Sequence, residues 1–121
     1  MKKAKICAIF AMFIIILIIV LNPLRRSEEH IRGCMLKSTP IGTSIEDVLD
    51  AIEKKEKWQI NYISYETGYI NGGGPVVGEK SIRVMIGEYG IFLNTSVTVF
   101  WGFDGDSNLI EIAVWKSTDV I

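Results

Sequence analysis

Gly72 to Ser81 read GGGPVVGEKS, one residue away from a phosphate-binding loop. The pattern G-x-x-x-x-G-K-[ST] cradles phosphate with backbone N–H groups, neutralises it with a lysine, and runs into a helix. Gly73 and Gly78 stand at the right separation, and Lys80 and Ser81 follow, but Glu79 is inserted between Gly78 and Lys80. That carboxylate adds a negative charge where phosphate would sit. Ser81 also opens SIRVMIG, in which Ile82, Val84 and Ile86 alternate with Ser81, Arg83 and Met85. This is the period of a strand, not of a helix. The stretch from Thr67 to Glu79 is therefore expected to be a hairpin connection with glycines in its turns, and no nucleotide is expected to bind.

The run DGDSN places Asp104, Asp106 and Asn108 at alternate positions, as a calcium loop begins. A hand-type loop then needs Gly at its sixth position and Glu at its twelfth, and Leu109 and Trp115 stand there. Asp-Gly between two apolar runs signals a hairpin turn instead. Other reactive groups are sparse. His30 is the single histidine, and the two cysteines, Cys7 and Cys34, lie in different segments. No G-x-S-x-G, no H-E-x-x-H and no zinc-ligand spacing occurs. Catalysis, cofactor binding and metal binding are accordingly not expected.

The chain has 121 residues, enough for one domain. Ile6 to Leu21 form an unbroken apolar run of sixteen residues, about 24 Å long as a helix. With Ala4, Lys5 and Asn22 to Leu24 it approaches the ~30 Å of a bilayer core. A cleaved signal peptide would have a shorter apolar run and an A-x-A-like site, and the sequence continues NPLRRSEEH. A lipoprotein would carry its lipid on Cys34, just after Arg32 and Gly33. The expectation is a transmembrane anchor over 1–24, in contact with membrane lipid through residues 4–24, then a linker over 25–40 and a folded domain over 41–121. Lys2, Lys3 and Lys5 before the run place the N-terminus in the cytoplasm. The chain would then be a single-pass protein of the inner (plasma) membrane, with its domain outside the cytoplasm. From Met35 onward seven basic residues stand against twelve acidic ones, a net of −5, the wrong sign for a nucleic-acid binder.

TSIEDVLDAIEKKEKW predicts a helix from about Ser44 to Glu56. Thr43 and Glu46 match a capping box, and Ile45, Val48, Leu49 and Ile52 form one apolar stripe. After Trp58 the chain reads as strands: QINYISYE, SIRVMIG, TSVTVFWGF and LIEIAVWK. In the last hairpin a loop of Asp104 to Ser107 sets Trp101 opposite Ile110, Val99 opposite Ile112 and Val97 opposite Val114. The fold class is α+β, with one amphipathic helix on one face of an antiparallel sheet of about four strands. Phe100, Leu109 and Trp115 would then lie on the uncovered face, where large apolar side chains mark a partner surface.

The helix start IGTSIEDVLDAI and the strand pattern FWGFDGDSNLIEIAVWK resemble the SmpA/OmlA-type family, the small lipoproteins of outer-membrane β-barrel assembly. That resemblance covers roughly Ile41 to Lys116 and implies an α+β domain with helices packed on an antiparallel sheet. It carries over no functional residue, and this chain lacks the family's lipobox. The expected function is a non-enzymatic, envelope-associated protein-interaction domain with an unknown protein partner. The alternative is an immunity or inhibitor protein that neutralises a toxin or an enzyme.

Overall fold

The computed structural model describes residues 2–90 and 93–119. The outermost residues of the expected anchor and domain, Met1 and Val120–Ile121, lie outside this range. Helix α1 spans Lys2–Leu21, a 3-10 turn spans Pro23–Arg25, helix α2 spans Glu28–Ser38 and helix α3 spans Ile45–Glu53. The strands are β1 (Gln59–Ser64), β2 (Tyr69–Ile70), β3 (Val76–Val77), β4 (Lys80–Tyr89), β5 (Asn94–Phe103) and β6 (Leu109–Asp119). An antiparallel sheet in the order β1-β4-β5-β6 carries α2 and α3 on one face. The small β2–β3 hairpin lies on the other. The chain is thus α+β with a four-stranded antiparallel sheet, but with three helices.

The transmembrane anchor is not supported. Among the described residues no helix is long and apolar enough to cross a membrane. Within α1 the described side chains from Lys5 to Leu17 are exposed. The single-pass, signal-anchor and plasma-membrane expectations, and the extracytoplasmic placement that depended on them, are withdrawn with it.

The expected linker over 25–40 is largely helix. The Ser27 hydroxyl accepts from the His30 N–H at 3.1 Å, Glu28 and Glu29 occupy the first turn, and Lys37 occupies the last. Both charge placements favour the helix dipole. Ile31 is buried in the main core, with Met35 and Leu36 packed against it, so α2 belongs to the folded domain. Helix α3 begins one residue later than the capping box suggests. Ser44, not Thr43, is the cap, accepting from the Asp47 N–H at 3.2 Å, while Thr43 donates its hydroxyl to the Pro40 carbonyl. The helix ends at Glu53, before Lys55 and Lys57. The segment before α3 is fixed to the sheet: Gly42 N–H donates to Leu109 O, Leu109 N–H to Thr43 O, and Ile45 N–H to Ser107 O.

The core lies between helices and sheet. Ile45, Val48 and Ile52 of α3 meet Ile82 and Val84 of β4 and Val97, Val99 and Trp101 of β5. Trp101 is buried, and its indole N–H donates to Thr39 Oγ1 at 3.1 Å. That hydroxyl in turn donates to the Met35 carbonyl at 2.8 Å, so the α2–α3 connection is tied to the centre of the sheet.

The β5–β6 register differs from the expected one. Trp101 pairs with Ile112, Val99 with Val114, and Phe103 with Leu109, with Ile110 left as a bulge. One Asp104 carboxylate oxygen accepts from the N–H groups of Asp106 and Asn108, and Ser107 adopts φ 66. The turn thus takes in Asn108. The extra residue reverses the alternation: Leu109 turns into the core and Ile110 turns outward.

Candidate functional site

The three residues expected to form a partner surface do not share one. Leu109 is 1% exposed, within the core beneath the helices. Phe100 faces the other side, as expected, but is 8% exposed. The β2–β3 hairpin covers it: the rings of Tyr69 and Phe100 are 5.4 Å apart, and Val77 packs beside them. Only Trp115 remains open, at 46%, its ring edge-on to Phe100 at 6.4 Å. The hairpin can lie this close because Gly102 has no side chain. A Cβ there would stand 2.8 Å from the Tyr69 ring.

The phosphate-like stretch is strand and turn. Val76–Val77 form β3 and Ser81 lies in β4. Lys80 Nζ donates to Ser107 Oγ at 2.6 Å, and Ser81 Oγ donates to the Thr67 carbonyl at 2.9 Å. Both side chains therefore brace neighbouring loops. Among the described residues no cluster of three His, Cys, Asp or Glu could hold a metal ion.

Between α2, the hairpin and β6 lies a cleft of about 410 Å³ lined by Glu28, Arg32, Tyr69, Glu111 and Trp115. Arg32 and Glu111 form an ion pair there. Arg32 Nε also donates to the Ile112 carbonyl at 2.7 Å, and the Ile112 N–H donates to the Glu111 carboxylate at 3.1 Å. Together the two side chains occupy both outward backbone groups of Ile112, as a neighbouring strand would. Strand β6 is an edge of the sheet, and α2 closes it at Ile112 in this way. Tyr69 is buried nearby, and its hydroxyl has no hydrogen-bond partner. Burial pushes the phenol up to about 12, the Glu111 carboxylate adds to the rise, and Arg32 opposes it.

The opposite edge is treated differently. Strand β1 pairs only with β4, and among the described residues nothing outside that ladder hydrogen-bonds to the backbone from Gln59 to Ile63. Large side chains with apolar surface stand on both of its faces. Ile60 pairs with Val84 and Ile63 with Ile82, on the helix side, while Tyr62 pairs with Arg83 on the hairpin side. These three are 38 to 40% exposed, and Tyr65 follows, also exposed. Asn61 forms a bulge between Ile60 and Tyr62.

The sequence reading did not single out Arg32, Tyr69 or the β1 edge. Ser27 followed by Glu28 and Glu29, with Ile31 and Met35 four apart, is a helix-start signal that could have found α2 and with it Arg32. No family model, curated protein or solved structure matches the chain.

Proposed function

We propose that the chain is a non-enzymatic protein-interaction domain that takes an extended segment of a partner polypeptide as a fifth strand along β1. The unequal treatment of the two sheet edges carries this reading. Strand β6 has the outward backbone groups of Ile112 occupied by Arg32 and Glu111 and helix α2 packed against it, whereas β1 leaves a row of backbone donors and acceptors beside Ile60, Tyr62 and Ile63. Soluble domains ordinarily blunt such an edge with lysine, proline, a bulge or a covering element, and of these β1 carries only the bulge at Asn61. Main-chain hydrogen bonds to an added strand supply affinity, and the flanking side chains supply specificity. The bulge at Asn61 splits the edge into two short ladders and twists it, which restricts which strands can follow it.

The test places a photo-cross-linking residue at position 62 in one variant and at position 115 in another. Position 62 should capture a partner, and the cross-linked peptide should be an extended segment. The β1 amides should exchange with solvent more slowly in the complex. Ile60→Lys with Ile63→Lys should keep the fold and lose the partner. Capture at position 115 alone, or unchanged exchange of the β1 amides in the complex, would refute the reading.

A further inference from the structure

A second cavity, of about 590 Å³, opens on the helix side between the 3-10 turn, α2, the Lys55–Trp58 segment and β4. This size lies within the range of small-molecule sites. Its floor is apolar: Leu24, Ile31, Met35, Trp58 and Ile86 line it, and all five belong to or pack against the main core. Its rim is cationic. Arg26, Lys55 and Lys57 line the opening together with His30, and no carboxylate is among the lining residues. In a chain whose residues from Met35 onward sum to −5, this is a local reversal of sign. The nearest acids of α2, Glu28 and Glu29, line the cleft on the other side of that helix. The single ion pair among the described residues is Arg32–Glu111, so no described carboxylate is in direct contact with the rim lysines or Arg26. Lys55 holds its ammonium 5.8 Å from the centre of the Trp58 ring, at the boundary between rim and floor.

The wall of this cavity is built by a bulge. Between Met85 and Gly87 the β4–β5 ladder slips by one residue at Ile86. Ile86 and Gly87 then both face the core side, Gly87 opposite Val97. A Cβ on Gly87 would stand 2.7 Å from Leu24 Cδ1. Leu24 therefore fills the place of the missing side chain and draws the 3-10 turn onto the sheet. Bulges of this kind recur beside binding sites, where they redirect side chains.

We propose that this cavity binds a single-chain anionic amphiphile, a long-chain carboxylate, with its hydrocarbon chain on the Leu24–Ile31–Met35–Trp58–Ile86 floor and its carboxylate at the Arg26–Lys55–Lys57 rim. An apolar floor alone would accept any alkyl chain. The rim charge selects the head group, because exposed cations attract an anion through partly screened contacts and repel an ammonium. Each further CH₂ that reaches the floor tightens binding by up to about fourfold. This site uses no residue of β1 and does not depend on the role proposed for that edge.

Cys34 lines the cavity and its thiol is exposed, so it reports occupancy. In full-length chain carrying Cys7→Ser, the rate of Cys34 alkylation by a maleimide is measured with dodecanoate below its micelle concentration. The same measurement is made with octanoate, dodecanol and dodecylammonium. Dodecanoate should slow alkylation at the lowest concentration, octanoate at a higher one, and the alcohol and the ammonium should protect at least about tenfold less well. Arg26→Glu with Lys55→Glu and Lys57→Glu, all exposed positions, should reverse the preference between dodecanoate and dodecylammonium. Equal protection by dodecanoate and dodecanol would overturn the role of the rim. A chain with Cys34→Ser, which keeps Cys7 on the exposed apolar helix α1, reports coating of that helix. Equal protection of Cys7 there, or no protection of Cys34 by any probe, would overturn the site.

Discussion

Tyr69 sets a test at the scale of one residue. Its hydroxyl is buried without a partner, which costs the fold the desolvation of a polar group, about 1–3 kcal/mol. Its pKa is raised from 10.0 to about 12, chiefly by burial and then by Glu111. The folded state thus prefers the neutral phenol. This leaves stability unaffected below about pH 10 and removes it progressively as the pH rises towards 12. Tyr69→Phe keeps the ring against Phe100 and deletes the hydroxyl. It should hold or raise stability at neutral pH, by up to about 1 kcal/mol, and should flatten the alkaline loss. Urea unfolding at about pH 7 and pH 11 measures both. A loss above about 1 kcal/mol at neutral pH would show that the hydroxyl is satisfied in solution. Phe100 and Trp115 diverge at the same scale. Phe100→Ser should destabilise strongly because its site is closed by the hairpin, whereas Trp115→Ser should cost distinctly less, about 0.5–1.5 kcal/mol for the lost edge contact.

At the scale of elements, the helix stripe divides into buried and marginal positions. Ile52 is buried in the core, and Leu49 is only half-buried against it. Ile52→Ala should cost about 2–5 kcal/mol in urea unfolding, and Leu49→Ala distinctly less. Equal losses would place α3 in a different rotation about its axis. The β6 edge offers a second comparison. Arg32 and Glu111 are about 40% exposed as a pair, so solvent screens their attraction and the pair itself contributes about 0–1 kcal/mol. Their larger effect is local. Glu111→Ala should accelerate amide exchange at Ile112, whose N–H it accepts, while the amide of Val99 in the sheet centre stays slow. Uniform acceleration across β5 and β6 would mean that the pair holds the whole sheet rather than its edge.

At the scale of the molecule, the sheet is covered on both faces, by helices α2 and α3 on one and by the small hairpin on the other. Gly102 is the point where the second cover touches the sheet, since a Cβ there would meet the Tyr69 ring at 2.8 Å and the Val77 carbonyl at 3.3 Å. Gly102→Val should therefore displace the hairpin and expose Phe100 while the helix side stays folded. Binding of a hydrophobic dye with little change in far-ultraviolet circular dichroism would show it. Loss of the circular dichroism signal would show instead that the hairpin and the main core unfold as one unit. The two proposed binding regions share no residue. One is the β1 edge, which offers backbone groups, and the other is the cavity under the 3-10 turn, which offers apolar surface beneath cations.

The sequence by itself determined the α+β class, the helix in IEDVLDAIE, the strand that follows Lys80, and a turn at Asp104. Each rests on signals within a few residues: a period of 3.6 or of 2, a cap, or an Asp-Gly pair. It also assigned Val97, Val99, Trp101, Ile112 and Val114 to one face, since alternation survives a two-residue change of register. Only the tertiary structure decided the rest. The bulges at Ile110 and Ile86 are single-residue slips in runs of β-branched residues that look regular from either side, and the first sends Leu109 inward and Ile110 outward. Helix α2 has a legible start at Ser27, but its apolar stripe is short, and Ile31 becomes a core residue only through contact with the sheet. The cover over Phe100 depends on Tyr69, thirty-one positions earlier in the chain, across glycines whose sequence records only that the chain can turn. Which residues of the hairpin-side face stay open is set by such long-range contacts, and local residue patterns do not encode them.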